Sequence, residues 1–214
     1  MEKIPRVFVS MGTPYTDDYV LFRDALERLL RDQCRVDPRI IGKNEYPAGS
    51  PIQHINETMR TCDGVIIVAY ERKRVLKGIE RPGGADQRAL DNAKLTTPWN
   101  HIESAIAYSL GLPLYIIAQR GLTEEGLIEA KADWYVQKID FTNDSLRRPE
   151  VFESLSSWVR ERVVKQARHR RSPLENFLKL RLTELTIEEW IILAGGIATS
   201  FAAGVAAAKF IPGL

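Results

Sequence analysis

Apolar residues along the chain follow two alternating rhythms. Arg6-Val7-Phe8-Val9-Ser10, the run Gly64 to Tyr70 and the run Leu114 to Ala118 are short, continuous and rich in β-branched or aromatic residues. Such runs mark strands covered on both faces, as in a parallel sheet. Between them the spacing turns helical. Phe22, Leu26, Leu29 and Leu30 recur between Asp17 and Cys34, with Thr16, Asp17 and Asp18 supplying cap chemistry. Ser50-Pro51 opens a second helix carrying Ile52, Ile55 and Met59 on one face. A third starts at Pro98-Trp99 and runs through Leu110, where Gly111 and Pro113 stop it. Weaker signals add a strand at Arg39-Ile40-Ile41-Gly42, a short helix from Glu124 to Lys131, a strand from Trp134 to Ile139, and an amphipathic helix from Pro149 to about Arg168. Strands and helices alternate throughout, which by the connection rules gives a parallel, doubly wound α/β sheet over residues 1–145.

One long segment breaks the rhythm. From Glu71 to Thr97 the chain is polar, charged and glycine-containing, and a loop of that length inside a compact domain is expected to be functional or mobile. No internal repeat appears. No GxGxxG or GxxxxGK[ST] follows any strand, which removes most of the support for dinucleotide oxidoreductase and P-loop chemistry.

Bulk composition changes this picture little. The 214 residues are 44% hydrophobic and 27% charged, ordinary for a soluble globular protein. A formal net charge of +2 is too near balance to point to nucleic acid, and none is expected as a partner. Cys34 and Cys62 are isolated, so neither a metal site nor a disulfide framework is expected and a reducing compartment fits. The residues Met1 to Pro5 lack the basic and apolar regions of a signal peptide, so export by that route is not expected.

In open parallel sheets, ligands bind beyond the carboxyl ends of the strands, where the connections diverge. That rule gathers Ser10, Gly12, Thr13 and Tyr15 after the first strand, Tyr70 after the third, and Trp99, Asn100 and Glu103 at the start of a helix. Trp99 and Glu103, four residues apart, share one helix face. Pro98-Trp99-Asn100-His101-Ile102-Glu103-Ser104-Ala105 resembles the helix of TIR domains that carries a tryptophan four residues before a catalytic glutamate. The first strand ending in Ser10 and the Cys62-Asp63-Gly64 lead into the next core strand agree with it, over about residues 5 to 140. The nucleoside 2-deoxyribosyltransferase-like group is similar too, sharing the sheet, the helix glutamate and the small residues at Ala105, Ala107 and Gly111.

The resemblance implies a flavodoxin-like, TIR-like domain with NAD+ as substrate rather than cofactor, Glu103 as the catalytic carboxylate, and a site completed by self-association. Cleaving a ribosyl–nicotinamide bond passes through an oxocarbenium-like ribose that a carboxylate stabilises, and the leaving group is already cationic. Trp99 or Tyr70 would stack on the nicotinamide; Ser10, Thr13 and Asn100 would hold ribose or phosphate oxygens. A glutamate in a helix first turn ordinarily compensates the dipole, and Trp99 is equally suited to packing. His101 is expected to face solvent, His54 to lie on a polar helix face, and Asp63 to form a turn. Two departures from the family pattern are Thr96-Thr97-Pro98 before the tryptophan, where serine is common, and Asn100, where cysteine is frequent.

The C-terminal part has another character. Arg160 to Arg181 holds eight basic and two acidic residues, including Arg168-His169-Arg170-Arg171. Residues 146–185 thus read as an amphipathic and basic juxtamembrane segment. Trp190 to Ala208 then contains nineteen uncharged residues, about 28 Å as a helix and close to the hydrocarbon thickness. Gly196, Ser200, Gly204 and Ala208 form a register of small residues along it. Residues 186–214 are expected to form an apolar helix that spans the membrane or, alternatively, assembles a soluble oligomer. Membrane lipid is the partner in the first case. The positive-inside rule then puts the α/β domain on the cytoplasmic side of a prokaryotic inner membrane; a cytoplasmic protein is the alternative.

Two functions remain open at this level. One is an NAD+ glycohydrolase activated by self-assembly at a membrane, in antiviral defence. The other is an effector whose TIR-like pocket only senses a nucleotide and whose tail forms a pore.

Overall fold

A computed structural model describes residues 4–46, 49–129, 134–142 and 144–171. In chain order the elements are β1 (Arg6–Met11), α1 (Asp17–Arg28), β2 (Asp37–Ile40), α2 (Pro51–Arg60), β3 (Gly64–Ala69), β4 (Lys73–Glu80), β5 (Arg88–Leu95), α3 (Pro98–Ser109), β6 (Leu114–Gln119), β7 (Tyr135–Ile139), α4 (Pro149–Trp158) and α5 (Val164–Arg171). Five strands form one parallel sheet in the order β2-β1-β3-β6-β7. The chain therefore moves outward from β1 in both directions, first to β2 and then through β3. Between β1 and β3 the connections part, the position where doubly wound sheets bind ligands.

Period two along each strand sorts the core into two layers. Val7, Val9, Ile66, Val68, Tyr115 and Ile117 face α1 and α4, meeting Phe22, Leu26, Leu155 and Trp158. Phe8, Val65, Ile67, Ile116 and Ala118 face the other way, onto Ile55 and Met59 of α2 and Ala107 of α3. Every residue of β3 is buried, and burial of each large aliphatic side chain contributes about 1.5–3 kcal/mol. The first compact unit reaches Arg168. Val151, Leu155, Trp158, Val159 and Val163 are the reason, since they close one face of the sheet.

Helix starts follow local chemistry. Thr16 Oγ1 accepts the Tyr19 N–H at 3.3 Å to open α1, and Thr97 Oγ1 accepts the Trp99 N–H at 3.3 Å to open α3, with Pro98 in the first turn. The edge strand β2 starts earlier than the apolar pattern suggests and includes Pro38, which an edge tolerates. It stops at Ile40, whose N–H is taken by Asn44 Oδ1 at 2.7 Å.

Two expectations change. Over 124–131 the described residues hold a single 3-10 turn, Gly126–Ile128, in place of a short helix. The polar stretch from Glu71 to Thr97 is not a loop: β4 and β5 form an antiparallel ladder from Lys73 opposite Leu95 to Glu80 opposite Arg88. Most side chains of this two-stranded sheet are exposed, so no apolar alternation announces it. Backbone pairing and the Glu80–Arg88 contact at 2.6 Å hold it instead.

The basic run beyond Arg171 and the apolar segment 186–214 lie outside the described residues. Among the described residues, no helix is long and apolar enough to cross a membrane.

A glycine marks the tightest packing of the sheet on its helical layer. A Cβ on Gly64 would come 2.8 Å from Val163 Cγ2 and 3.1 Å from the Trp158 ring. Gly64→Ala is expected to destabilise the fold by about 1–3 kcal/mol, read as a lower urea midpoint at an unchanged slope.

Candidate functional site

The alternation of β1 decides what meets α3. Phe8 lies on the face that α3 covers, so Ser10, two residues further, points the same way. There its hydroxyl donates to Glu103 Oε2. Asn100, one helical turn before Glu103, donates from Nδ2 to Ser10 Oγ at 3.1 Å, and its Oδ1 accepts from Thr96 Oγ1 at 2.7 Å. Ser104 Oγ donates to the Asn100 carbonyl at 2.6 Å. Ser10 is 3% exposed, Asn100 2% and Glu103 8%.

A carboxyl so far from water is harder to ionise. Burial pushes Glu103 up to about 7, while the Ser10 hydroxyl, which favours the charged form, pulls it back. Near neutral pH the acid and the carboxylate coexist. Such a group can accept a proton, give one up, or oppose a developing positive charge. Among the described residues, Ser10 bonds Oε2 and no side-chain bond reaches Oε1.

A second cluster lies across the gap between β1 and β3. The Tyr70 hydroxyl donates to the Gly12 carbonyl at 2.6 Å and joins the two strand ends. Burial pushes this phenol up to about 12, so it remains a donor. Its ring sits 4.4 Å from that of Tyr19 and 6.0 Å from that of Phe141. At the end of β6, Gln119 Oε1 accepts the Tyr19 hydroxyl at 3.2 Å and the Glu71 N–H at 2.8 Å. Glu71 in turn takes Arg74 in a two-bond fork, at 2.6 and 2.7 Å, which holds its carboxyl below the usual range. Tyr15, 53% exposed, donates to the Glu71 carbonyl at 2.6 Å. Arg72 lies 5.5 Å over the Tyr15 ring and donates to the Thr13 carbonyl at 3.2 Å.

Of the residues expected from sequence, Ser10, Asn100 and Glu103 thus join one hydrogen-bonded chain. Gly12 and Tyr70 form a second contact, and Thr13 and Tyr15 meet at Arg72. Trp99 begins the helix 42% exposed while Glu103 is buried. The Tyr70 ring, expected beside Trp99 as a stacking surface, is buried among Tyr15, Tyr19 and Phe141, while Trp99 and Tyr15 keep exposed rings. His101 does not simply face solvent. Its Nε2 is 3.9 Å from Glu125 Oε1, and a Cβ at Gly126 would lie 3.1 Å from its Nδ1. His54 Nε2 is buried with no hydrogen-bond partner among the described residues, unlike a group on an open polar face. Asp63 does more than turn the chain: it exchanges two bonds with Arg6, at 2.9 and 2.7 Å, tying the start of β3 to β1.

Sequence reasoning missed Thr96 and Ser104; Ser104 stands four residues after Asn100, the spacing that stacks side chains on one helical face, whereas Thr96 precedes the Thr97 cap and carries no helical signal. Gln119 and Arg72 had no local signal, since only the sheet brings them to the site.

No family model matches the chain, and no curated protein matches it. Among solved structures it is similar to the metal-soaked Flv1 flavodiiron core from Synechocystis sp. PCC6803, with a TM-score of 0.41 and 11% identity, over 78% of this chain and 37% of that one. The chain thus spans little more than a third of that protein's length.

The poised carboxyl has a thermodynamic signature. Glu103 titrates near 4.5 when free and near 7 in the fold, so between these values the folded state binds more protons. Stability is then greatest below about 4.5 and falls as pH rises through about 7, by on the order of 3 kcal/mol. Glu103→Gln keeps the shape without the charge. Its urea midpoint is expected to exceed that of the wild type at pH 8 and to approach it at pH 4.5; a gap independent of pH would show that ionisation is not the cause.

Proposed function

We propose that this chain is a TIR-like, flavodoxin-like NAD+ glycohydrolase, activated when copies assemble at a membrane, with Glu103 as its catalytic carboxylate. The observation that carries the reading is the Glu103 carboxyl itself, buried at the carboxyl end of β1, pushed up to about 7 and, among the described residues, bonded through Oε2. In the reaction the bond from the ribose anomeric carbon to the nicotinamide nitrogen breaks and the electron pair leaves with neutral nicotinamide. No general acid is required for that departure. Positive charge gathers on the ribose, and an anionic Oε1 opposes it in a setting where water does not weaken the attraction. Water then adds to the anomeric carbon, and Glu103 or solvent takes its proton. Trp99 supplies an exposed ring near the start of the same helix.

A sensor that binds a nucleotide without cleaving it is the second reading. What favours it is that the Ser10 proton and one of the two Asn100 Nδ2 protons are engaged within the protein, which leaves fewer donors to hold a ribose in place for cleavage. Its pore-forming half rests on residues 186–214, which lie outside the described residues.

Concentrated full-length protein, with and without detergent, is to be incubated with NAD+ and nicotinamide release followed. Turnover is expected, with kcat/KM rising with pH through about 7 as Glu103 ionises, and with Glu103→Gln slower by at least ~100-fold. Nicotinamide release that never exceeds the variant's background overturns the enzyme reading. Nucleotide binding that persists without release supports the sensor.

A further inference from the structure

The hydrogen bonds around Glu103 have a direction, and it is set at the far end. Ser10 has a single hydroxyl proton. Because Asn100 donates to Ser10 Oγ from Nδ2, that proton has no acceptor on Asn100 and goes to Glu103 Oε2. With Nδ2 turned to Ser10, the amide Oδ1 accepts the Thr96 hydroxyl proton, 2.7 Å away, and that bond polarises the amide so that Nδ2 is the stronger donor. Were the amide turned over, Oδ1 would meet Ser10 and compete with the carboxylate for the proton. Thr96, Asn100 and Ser10 are all buried, so each bond polarises the next with little relief from water.

We propose that Thr96 is a positioning residue for Glu103, acting through Asn100 to aim the Ser10 proton at Oε2 and so reserve Oε1 for the ligand. Thr96 stands just before the Thr97 cap and four residues before Asn100, so the start of α3 sets the register of the whole relay. Ser104, bonded to the Asn100 carbonyl, holds the same turn from its other side. The inference rests on Glu103 being the working carboxyl, as proposed above, but it concerns the proton on Ser10 and holds in the absence of substrate.

The test is a titration of the Glu103 side-chain carboxyl by carbon-13 NMR in the full chain, with the resonance assigned by its loss in Glu103→Gln. Ser10→Ala is expected to raise the midpoint above the wild-type value near 7 by about one unit, since a bond to the charged form is gone. Thr96→Val is nearly isosteric but lacks the hydroxyl. It is expected to raise the midpoint in the same direction by a smaller amount, and Thr96→Ser is expected to restore it. A midpoint unchanged in Thr96→Val, or displaced as far in Thr96→Ser as in Thr96→Val, overturns the proposal. If the valine variant does not fold, Thr96→Ala is read by the same criteria. NAD+ cleavage is measured beside the titration. Shifted midpoints without wild-type turnover would defeat the glycohydrolase reading and leave the relay; turnover with unshifted midpoints would do the reverse.

Discussion

A carboxyl removed from water must be given other partners or give up its charge, and the region between β1 and α3 is organised around that constraint. Glu103 has one hydroxyl, from Ser10, and burial leaves it poised between its two forms. A glutamate at the surface needs no such arrangement, since water suffices; nor does Glu103 stand where the expected dipole compensation acts, because the first turn of α3 carries no acidic residue. Here the neighbours are themselves polar and buried: Asn100 and Thr96 satisfy one another and end on Ser10. Such groups are expensive to bury alone and tolerable only as a completed set. That cost is why the site reads as chemistry rather than as packing.

The sheet makes the arrangement rigid. β1 and β3 are covered on both faces, so the end of β1 has little freedom, and Ser10 inherits its aim from Phe8. Tyr70 and Gly12 close the space between the two strands, and Gln119 secures Tyr19 and Glu71 behind them. The hairpin of β4 and β5 is fastened at its base by backbone bonds from Arg72 to Leu95 and from Thr123 to Lys94, both 2.8 Å. It delivers Thr96 to the start of α3 in a fixed position. A segment with no apolar pattern of its own thus places a residue of the relay.

The buried strands and the helices that cover them were legible from spacing, because burial on both faces writes continuous apolar runs and a helix writes its period of 3.6; the shared face expected of Trp99 and Glu103 was not, since Trp99 is 42% exposed where Glu103 is buried. The hairpin was not legible. Its strands are solvated on both sides, and hydrogen bonding between backbones leaves no trace in side-chain polarity.

By itself, then, the sequence determined the order of the five sheet strands and of the helices that cover them, and the set of polar groups that gather at the strand ends: Ser10, Gly12, Tyr70, Asn100 and Glu103. Only tertiary structure decided what those groups do to one another. It withdrew Glu103 from water, which moved its titration toward neutral pH. It also enclosed the Tyr70 ring and ran a directed set of hydrogen bonds from Thr96 to the carboxyl. The reason is that residue type and spacing are local properties, whereas desolvation and hydrogen-bond direction depend on which distant groups share the same small volume.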